Sequence, residues 1–276
     1  MTPLVSTAWL AEHLYDDDLR IVDIRGHVLP ASQPPPHYFS HRDEYDETHI
    51  PNAVFIDWTT DIVEPQSPTY DVASPQRYAD LMASLGIGDT HRVVAYDDAN
   101  GMFAARLWWT MTYYGHDQVA VLDGGWQKWV AEGHPTTCDV PQHPSAVFTA
   151  RPQAQHRATA ATILDTSPPL LDVRSSAEFA GEASRATRKG HIPQAINVPR
   201  KQLLTADGTL KPADDLRRLF TDAGLALDNP ATVVYCNSGV SASYGLLALR
   251  VAGLDGGRVY DGSWKDWGND DSKPIA

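Results

Sequence analysis

The chain has 276 residues, of which 42% are hydrophobic, so it can build the cores of one large or two ordinary globular domains. Its 22 lysine and arginine residues against 35 aspartate and glutamate residues give a formal net charge of −13. Because nucleic acids and anionic membranes are bound by clustered cations, this charge disfavours both kinds of partner.

Only two cysteines occur, Cys138 and Cys236, and they are far apart in the sequence. This count gives no disulfide framework and favours a reducing compartment. Residues 1–6 lack the charged start and apolar run of a signal peptide, and no run of about 18 apolar residues follows anywhere. We therefore expect a cytoplasmic protein with no contact with membranes.

In chain order, the first half begins with a short helix opened by the hydroxyl of Ser6 as N-cap. The predicted strands of this half are 20–24, 53–56, 93–97 and 119–122. A long surface loop is predicted over 26–48, because this segment is polar and contains three consecutive prolines. Three further helices are predicted in this half. One begins at Pro75 and is stopped by Gly86, and the others cover 102–114 and 125–132.

A stretch rich in proline, glutamine and histidine follows, and it predicts a linker over 137–158 that contains Cys138. The second half repeats the alternation, with strands at 169–172, 195–198, 231–235 and 257–260 and helices at 212–223 and 241–251. Such alternation predicts an α/β protein with parallel sheets, each flanked by helices on both faces. The predicted domains are 1–136 and 159–276.

Three short motifs occur twice and in the same order. Asp-x-Arg is found at 23–25 and 172–174, His-Ile-Pro-x-Ala at 49–53 and 191–195, and Asp-Gly-x-Trp at 123–126 and 261–264. Only the loop lengths between them differ. The chain is therefore predicted to be a tandem duplication of one α/β domain.

Cys236 ends the strand predicted at 231–235 and is followed by small, mostly polar residues. In an open α/β sheet such a loop lies at the carboxyl end of a strand, where the first amides of the next helix point at bound anions. We predict that Cys236 is a nucleophile whose negative sulfur is held by the loop Asn237, Ser238, Gly239, Val240 and Ser241. The alternative is that Cys236 is a buried small hydrophobic residue.

The corresponding position of the first half holds Asp97 instead of a cysteine. This difference predicts a non-catalytic first domain that could form one wall of the cleft. Asp97 could also be a functional acid, but the neighbouring Asp98 favours a capping or solvated role.

The chain resembles the rhodanese family. The resemblance is carried by the repeated motifs together with the loop Cys-x-x-Gly-Val-Ser-Ala at 236–242. The chain is most similar to the two-domain sulfurtransferases of the thiosulfate or 3-mercaptopyruvate type, over nearly its whole length. The resemblance implies two tandem rhodanese-like domains and a persulfide on Cys236. It also implies a small anionic sulfur donor, no metal or organic cofactor, and cyanide, a small thiol or reduced thioredoxin as acceptor.

The donor stays open, because the motifs are mixed. Thiosulfate-type members carry basic residues where this chain has Asn237 and Ser238. Ser238 fits the mercaptopyruvate type, but the aspartate and histidine expected with it are replaced by Thr59 and Val72. Glu178 occupies the place of an arginine that binds the donor anion in both types.

Some cation must still meet an anionic donor, and the candidates for this role are Arg185, Arg188 and Lys189. The alternative is that they belong to a solvated basic loop.

Two other functions are compatible with a reactive cysteine in such a loop. A cysteine phosphatase is disfavoured, because the arginine of a Cys-x5-Arg motif would fall on Ala242. A persulfide carrier or redox-sensing module without rapid turnover is the remaining alternative.

Overall fold

The computed structural model describes residues 1–30, 33–254 and 256–276. Its strands are β1 (Leu4–Val5), β2 (Leu19–Asp23), β3 (Gly26–Val28), β4 (Tyr38–Ser40), β5 (Ala53–Phe55), β6 (Arg92–Tyr96), β7 (Val119–Leu122), β8 (Arg157–Ala158), β9 (Leu170–Asp172), β10 (Ile196–Asn197), β11 (Val233–Tyr235) and β12 (Arg258–Tyr260).

The α-helices are α1 (Thr7–His13), α2 (Arg42–Glu47), α3 (Pro75–Ser84), α4 (Met102–Tyr113), α5 (Gly125–Ala131), α6 (Ala160–Thr166), α7 (Ser176–Phe179), α8 (Ala213–Asp222), α9 (Val240–Val251) and α10 (Ser263–Trp267). Short 3-10 helices cover Ala154–His156 and Arg200–Leu203. Among the described residues, no helix is both long enough and apolar enough to cross a bilayer.

Two five-stranded sheets have the same strand order, and all their pairings are parallel. The first runs β1-β7-β6-β2-β5 and the second β8-β12-β11-β9-β10. Each strand of the second sheet thus has its counterpart at the same place in the first. The predicted duplication and the α/β class are confirmed.

Helices cover both faces of each sheet, because successive strand residues point to opposite sides. In β2, Val22 packs in the cluster that contains α3 and α4, whereas Leu19 and Ile21 pack with α1 and α5. The second sheet has α8 and α9 on one face and α6 and α10 on the other.

The predicted helices and strands are present, with ends that differ by no more than two residues. The Ser6 hydroxyl accepts a hydrogen bond from the Trp9 amide at 3.1 Å, as predicted for an N-cap. Pro75 is the first residue of α3, where its missing N–H leaves no hydrogen bond unmade.

The loop predicted over 26–48 is wrong, because this segment contains an antiparallel hairpin of β3 and β4 followed by α2. Tyr45 anchors α2: its hydroxyl donates to the Ala53 carbonyl at 2.8 Å, and its ring stacks on His49 at 4.0 Å between centroids. The polar composition of the segment conceals this buried side chain. The elements β1, β8, α6 and α7 were also not predicted, and α10 was predicted as a turn. The strands β1 and β8 and the helix α7 are too short to show a period.

The segment between the two sheets is mostly irregular. Residues 138–153 form neither helix nor strand, and Cys138 is exposed there. β8 lies inside the predicted linker of 137–158 but pairs with β12 and so belongs to the second sheet. The domain limits of 1–136 and 159–276 stay predictions.

The duplicated Asp-x-Arg motifs lie at the ends of the corresponding strands β2 and β9. Asp23 and Arg25 form a buried ion pair at 2.8 Å, and Asp172 and Arg174 form its counterpart at 2.6 Å. Each arginine also donates to the carbonyl before the His-Ile-Pro motif, at 2.6 and 2.9 Å. Both arginines therefore have the structural role that their position at a strand end indicates.

The two halves meet through α4 and α9, which pack against each other. The repeated Asp-Gly-x-Trp motifs add reciprocal contacts on either side of these helices. Asp123 accepts a hydrogen bond from the Leu210 amide and Asp261 accepts one from the Val72 amide, both at 2.9 Å. Each carboxylate thus binds the backbone of the other half.

One of these carboxylates also forms an ion pair between the halves. Arg106 of α4 donates to Asp261 at 2.7 Å, and both side chains are 1% exposed. The second guanidinium nitrogen of Arg106 donates to the Tyr70 carbonyl at 3.0 Å. Because both charges are removed from water, each depends on its partner.

We predict that Arg106→Ala lowers the free energy of unfolding by about 3 kcal/mol or more, because it leaves the buried Asp261 carboxylate without its main cation. Urea unfolding followed by tryptophan fluorescence measures this loss. The matched control is Arg42→Ala, since the ion pair of Arg42 with Asp46 is about half-exposed (54% and 49%). Equal losses in the two variants would contradict the assignment.

Candidate active site

Cys236 lies between β11 and α9, at the carboxyl edge of the second sheet. The loop after it turns at Gly239, whose φ is 76°. A Cβ at this position would lie 2.8 Å from Nη1 of Arg106 and 2.9 Å from the Asp261 carboxylate. Only glycine fits both this backbone conformation and this space.

Cys236 is buried, with 4% of the residue exposed. Burial raises the pKa of the thiol, while the backbone amides of Ser238 and Ala242 and the Ser263 hydroxyl act in the opposite direction. Of these two amides only that of Ser238 belongs to the predicted loop, and burial outweighs both. The resting form at neutral pH is therefore the thiol, which must lose its proton before it reacts.

Ser263 is a residue of this site that was not singled out from the sequence. Its hydroxyl accepts from the amides of Cys236 (3.2 Å) and Gly239 (3.1 Å) and donates to the Tyr260 carbonyl (2.7 Å). The first copy of the motif has Gly125 here, and a Cβ there would lie 2.3 Å from the Asp97 carbonyl oxygen. This serine-for-glycine difference between the copies was the available signal.

Cys236 borders a cavity of about 510 Å³. Most of its wall comes from the second half of the chain, including Asn237, Ser238, Val240 and Ser241 of the predicted loop. The first half contributes the three side chains Val28, Tyr38 and Met102. Gly239 alone among the predicted loop residues is absent from the lining, because it faces Arg106 and Asp261.

The two predicted donor-binding arginines have different positions. Arg185 lines the cavity, and its guanidinium donates to the Leu29 carbonyl at 2.7 Å and to Glu178 at 3.2 Å. Arg188 does not line the cavity, because its guanidinium donates to the carbonyls of Trp267 and Lys273, both at 2.8 Å. Arg188 therefore holds the C-terminal segment, and the structure does not bring it to Cys236.

Three further cations line the cavity: Arg174, which is paired with Asp172, and Arg200 and Lys201, neither of which was a candidate from the sequence. Nη1 of Arg200 donates to the Ala99 carbonyl at 3.2 Å, and its guanidinium lies 5.6 Å from the centroid of the Tyr244 ring. Burial lowers the pKa of Arg200, and the charges of Asp97, Tyr244 and Cys236 oppose this shift. The position of Arg200 and Lys201 in the sequence could have indicated this role, because they follow β10 closely and its carboxyl end lies at the same edge of the sheet as Cys236.

Glu178, at the position where the resemblance implies a donor-binding arginine, lies in the cavity wall. Its carboxylate accepts from the Asn237 side-chain amide at 2.8 Å and from the Ser175 hydroxyl at 2.7 Å. Burial opposes ionisation, but these hydrogen bonds and Arg185 hold the pKa of Glu178 below its ordinary value. The wall therefore carries a negative charge that offsets Arg185.

Several polar groups of the wall have no partner within the protein. Among the residues that the structure describes, seven buried side-chain nitrogen or oxygen atoms lack a hydrogen bond. Four of these belong to residues that line the cavity: Tyr38 Oη, Arg174 Nη1, Arg185 Nε and Asn237 Oδ1. Because unpaired buried polar groups are costly, this concentration indicates a site built to bind a polar ligand.

At the equivalent position of the first half, Asp97 fills the place of the sulfur. Its carboxylate accepts four backbone hydrogen bonds, from Ala99 and Gly101 at 2.8 Å and from Phe103 and Ala104 at 2.6 and 2.8 Å. The last two amides belong to the first turn of α4, so Asp97 has the capping role weighed for it from the sequence.

The model of the rhodanese-like domain matches twice, at residues 6–132 and 156–270. Together with the duplicated sheets, this match shows that the chain belongs to the rhodanese family and contains two rhodanese-like domains.

Named relatives agree with this family. The sulfur carrier protein TtuD of Thermus thermophilus is 36% identical, over 99% of this chain and 96% of its own. The thiosulfate sulfurtransferase of Gallus gallus is 34% identical, over 96% and 92%. The crystal structure of SseA from Escherichia coli, from a study of 3-mercaptopyruvate sulfotransferases, is 31% identical and covers 96% of this chain and 99% of its own, with a TM-score of 0.84.

We predict that alkylation of Cys236 by iodoacetamide keeps accelerating above about pH 8.5, the ordinary pKa of a cysteine. The reason is that a raised pKa leaves the thiolate, the reacting form, as a minority species until higher pH. The rate is measured by intact mass in the Cys138→Ser variant, where Cys236 is the one remaining cysteine. A rate that is already constant at pH 7 would show a thiolate at rest and contradict the shift.

Proposed function

We propose that this protein is a sulfurtransferase that carries sulfane sulfur on Cys236 from a small anionic donor to a thiophilic acceptor. The observation that supports this most directly is the position of the Cys236 sulfur. It borders a cavity that contains unpaired polar atoms and cations and is faced by the amides of its own loop. The donor is thiosulfate or 3-mercaptopyruvate, and the acceptor is cyanide, a small thiol or reduced thioredoxin.

The reaction proceeds in two displacements. The Cys236 thiolate attacks the outer sulfur of thiosulfate, a sulfur–sulfur bond forms, and sulfite leaves with the electron pair of the broken bond. With 3-mercaptopyruvate the leaving group is the pyruvate enolate, which takes up a proton. In the second step the acceptor attacks the outer sulfur of the persulfide and restores the thiolate, so that cyanide leaves as thiocyanate.

The loop stabilises the intermediate in the same manner as an oxyanion hole. A persulfide carries its negative charge on the outer sulfur, and backbone amides aimed into the loop are fixed dipoles that need no reorganisation. Asn237, Ser238, Gly239, Val240 and Ser241 are the residues proposed for this role. Ser263 supports the loop from behind by binding two of its amides.

The distribution of charge suggests where the donor anion binds. Arg185 is paired with Glu178, whereas no carboxylate of the described residues pairs with Arg200 or Lys201. We therefore assign Arg200 and Lys201 as the main cations for the donor, with Arg185 as a weaker contributor.

A persulfide carrier is the second candidate, and the 36% identical sulfur carrier protein TtuD favours it. In that case sulfur loads onto Cys236 but is released slowly to small acceptors. A phosphatase lacks support, because Ala242 replaces the arginine that would bind phosphate, and Arg250 donates instead to the Gly256 carbonyl at 3.1 Å.

We predict that Cys236→Ser abolishes thiocyanate formation from thiosulfate and from 3-mercaptopyruvate while the thermal unfolding temperature changes little. The substitution removes the nucleophile but almost no volume. The control is Cys138→Ser, which is expected to keep near-normal kcat/KM because Cys138 is exposed and remote in the linker. Turnover near wild type in Cys236→Ser would overturn the mechanism. Stoichiometric loading without turnover in the wild type would favour the carrier.

We predict that Arg185→Ala raises the donor KM several-fold, whereas Arg188→Ala leaves the donor KM unchanged and lowers the thermal unfolding temperature. Arg185 lines the cavity, and Arg188 binds carbonyls of the C-terminal segment. Steady-state kinetics with each donor and a thermal melt of each variant measure the contrast. An increase in KM for Arg188→Ala alone would reverse the two assignments.

A further inference from the structure

The first half holds a loop of four residues, 98–101, that is fixed from inside by one carboxylate. Asp97 receives the amides of Ala99 and Gly101 within this loop and two more amides from α4. Asp97 itself is 0% exposed. A carboxylate that accepts four amide hydrogen bonds leaves the loop little conformational freedom, because moving it would break several charge-assisted bonds at once.

With its amides turned inward to Asp97, the loop turns carbonyl oxygens outward. The carbonyls of Ala99 and Asn100 lie 3.2 and 3.5 Å from Nη1 of Arg200. Arg200 comes from the second half of the chain and lines the cavity of Cys236. The guanidinium is thus held on one side by the loop, and no described residue accepts a hydrogen bond from its Nε or Nη2.

The first residue of the loop, Asp98, ties the loop to other segments of the first half. Asp98 accepts from the Gly26 amide at 3.0 Å and contacts His41 at 2.5 Å. Gly26 begins β3, whose other end carries Val28 in the wall of the cavity. Loop 98–101 is therefore a rigid joint between the core of the first half and two parts of the wall around Cys236.

We infer that Asp97 is a positioning residue for sulfur-donor binding: by fixing loop 98–101 it orients Arg200 toward the donor in the Cys236 cavity. The inference rests on the proposed sulfurtransferase function. It gives the half without a cysteine a defined part in the reaction. In the second half the loop amides face the Cys236 sulfur. In the first half the corresponding amides bind the Asp97 carboxylate, and the loop that they hold in place contacts Arg200 of the second half.

The test is a double-mutant cycle between Asp97→Asn and Arg200→Ala, with steady-state KM and kcat measured for thiosulfate and for 3-mercaptopyruvate. An asparagine presents an N–H group to two of the four amide donors, so it loosens the loop without changing volume. We expect each single variant to raise the KM of the better donor about tenfold with kcat within about twofold. In the Arg200→Ala background, Asp97→Asn should then change the KM little further.

The control for a loss of stability is Asp23→Asn, which alters another fully buried carboxylate at a strand end of the same half. Asp23 pairs with Arg25 and accepts the Tyr96 hydroxyl, and it makes no hydrogen bond to loop 98–101. It should lower the thermal unfolding temperature without moving the donor KM. If Asp97→Asn does not fold, the cycle is run with Asp97→Ser, which keeps one acceptor.

Two results would overturn the inference: an unchanged donor KM in a folded Asp97 variant, or equal KM increases with and without Arg200. Both are read against a wild-type protein that transfers sulfur. A wild-type protein that transfers none from either donor would instead overturn the proposed function.

Discussion

The ion pair between Arg106 and Asp261 is the interaction on which the rest of this structure depends. It joins the two halves in a region closed to water, and it lies directly against Gly239, where no larger residue than glycine has room. The pair therefore ties α4 to the loop after β12, and it leaves room only for a glycine at the turn of the Cys236 loop. A buried charge without its partner is costly, so losing either residue would weaken the association of the two domains. The same contact supports the turn of the Cys236 loop at Gly239.

Duplication of the domain has led to two loops of the same design with different occupants. In the second half the place in front of the amides is taken by a thiol that borders a cavity. In the first half it is taken permanently by the carboxylate of Asp97. The first loop is thus fixed from inside by its own carboxylate, while the second presents a thiol to the cavity.

Much of the architecture could be predicted from the sequence, because three motifs recur in register and the alternation of strands and helices is regular. The site was predictable where a residue type is unusual for its place, as for Cys236 after a strand, or Glu178 in the place of an arginine. It was not predictable where long side chains choose between partners. Arg188 precedes the same His-Ile-Pro motif as Arg185 but binds carbonyls elsewhere, and Arg200 belongs to no motif yet reaches the cavity. The raised pKa of Cys236 likewise follows from burial, which the loop sequence does not reveal.

The central claim is that Cys236 carries the transferred sulfur, and peptide mass mapping tests it most directly. The protein is treated with thiosulfate or 3-mercaptopyruvate, digested without reductant, and compared with a sample treated afterwards with cyanide. The account predicts a gain of one sulfur atom on the peptide that contains Cys236, and its loss on cyanide treatment with an equal amount of thiocyanate formed. A Cys236 peptide of unchanged mass after both donors, or sulfur found on Cys138 instead, would contradict it.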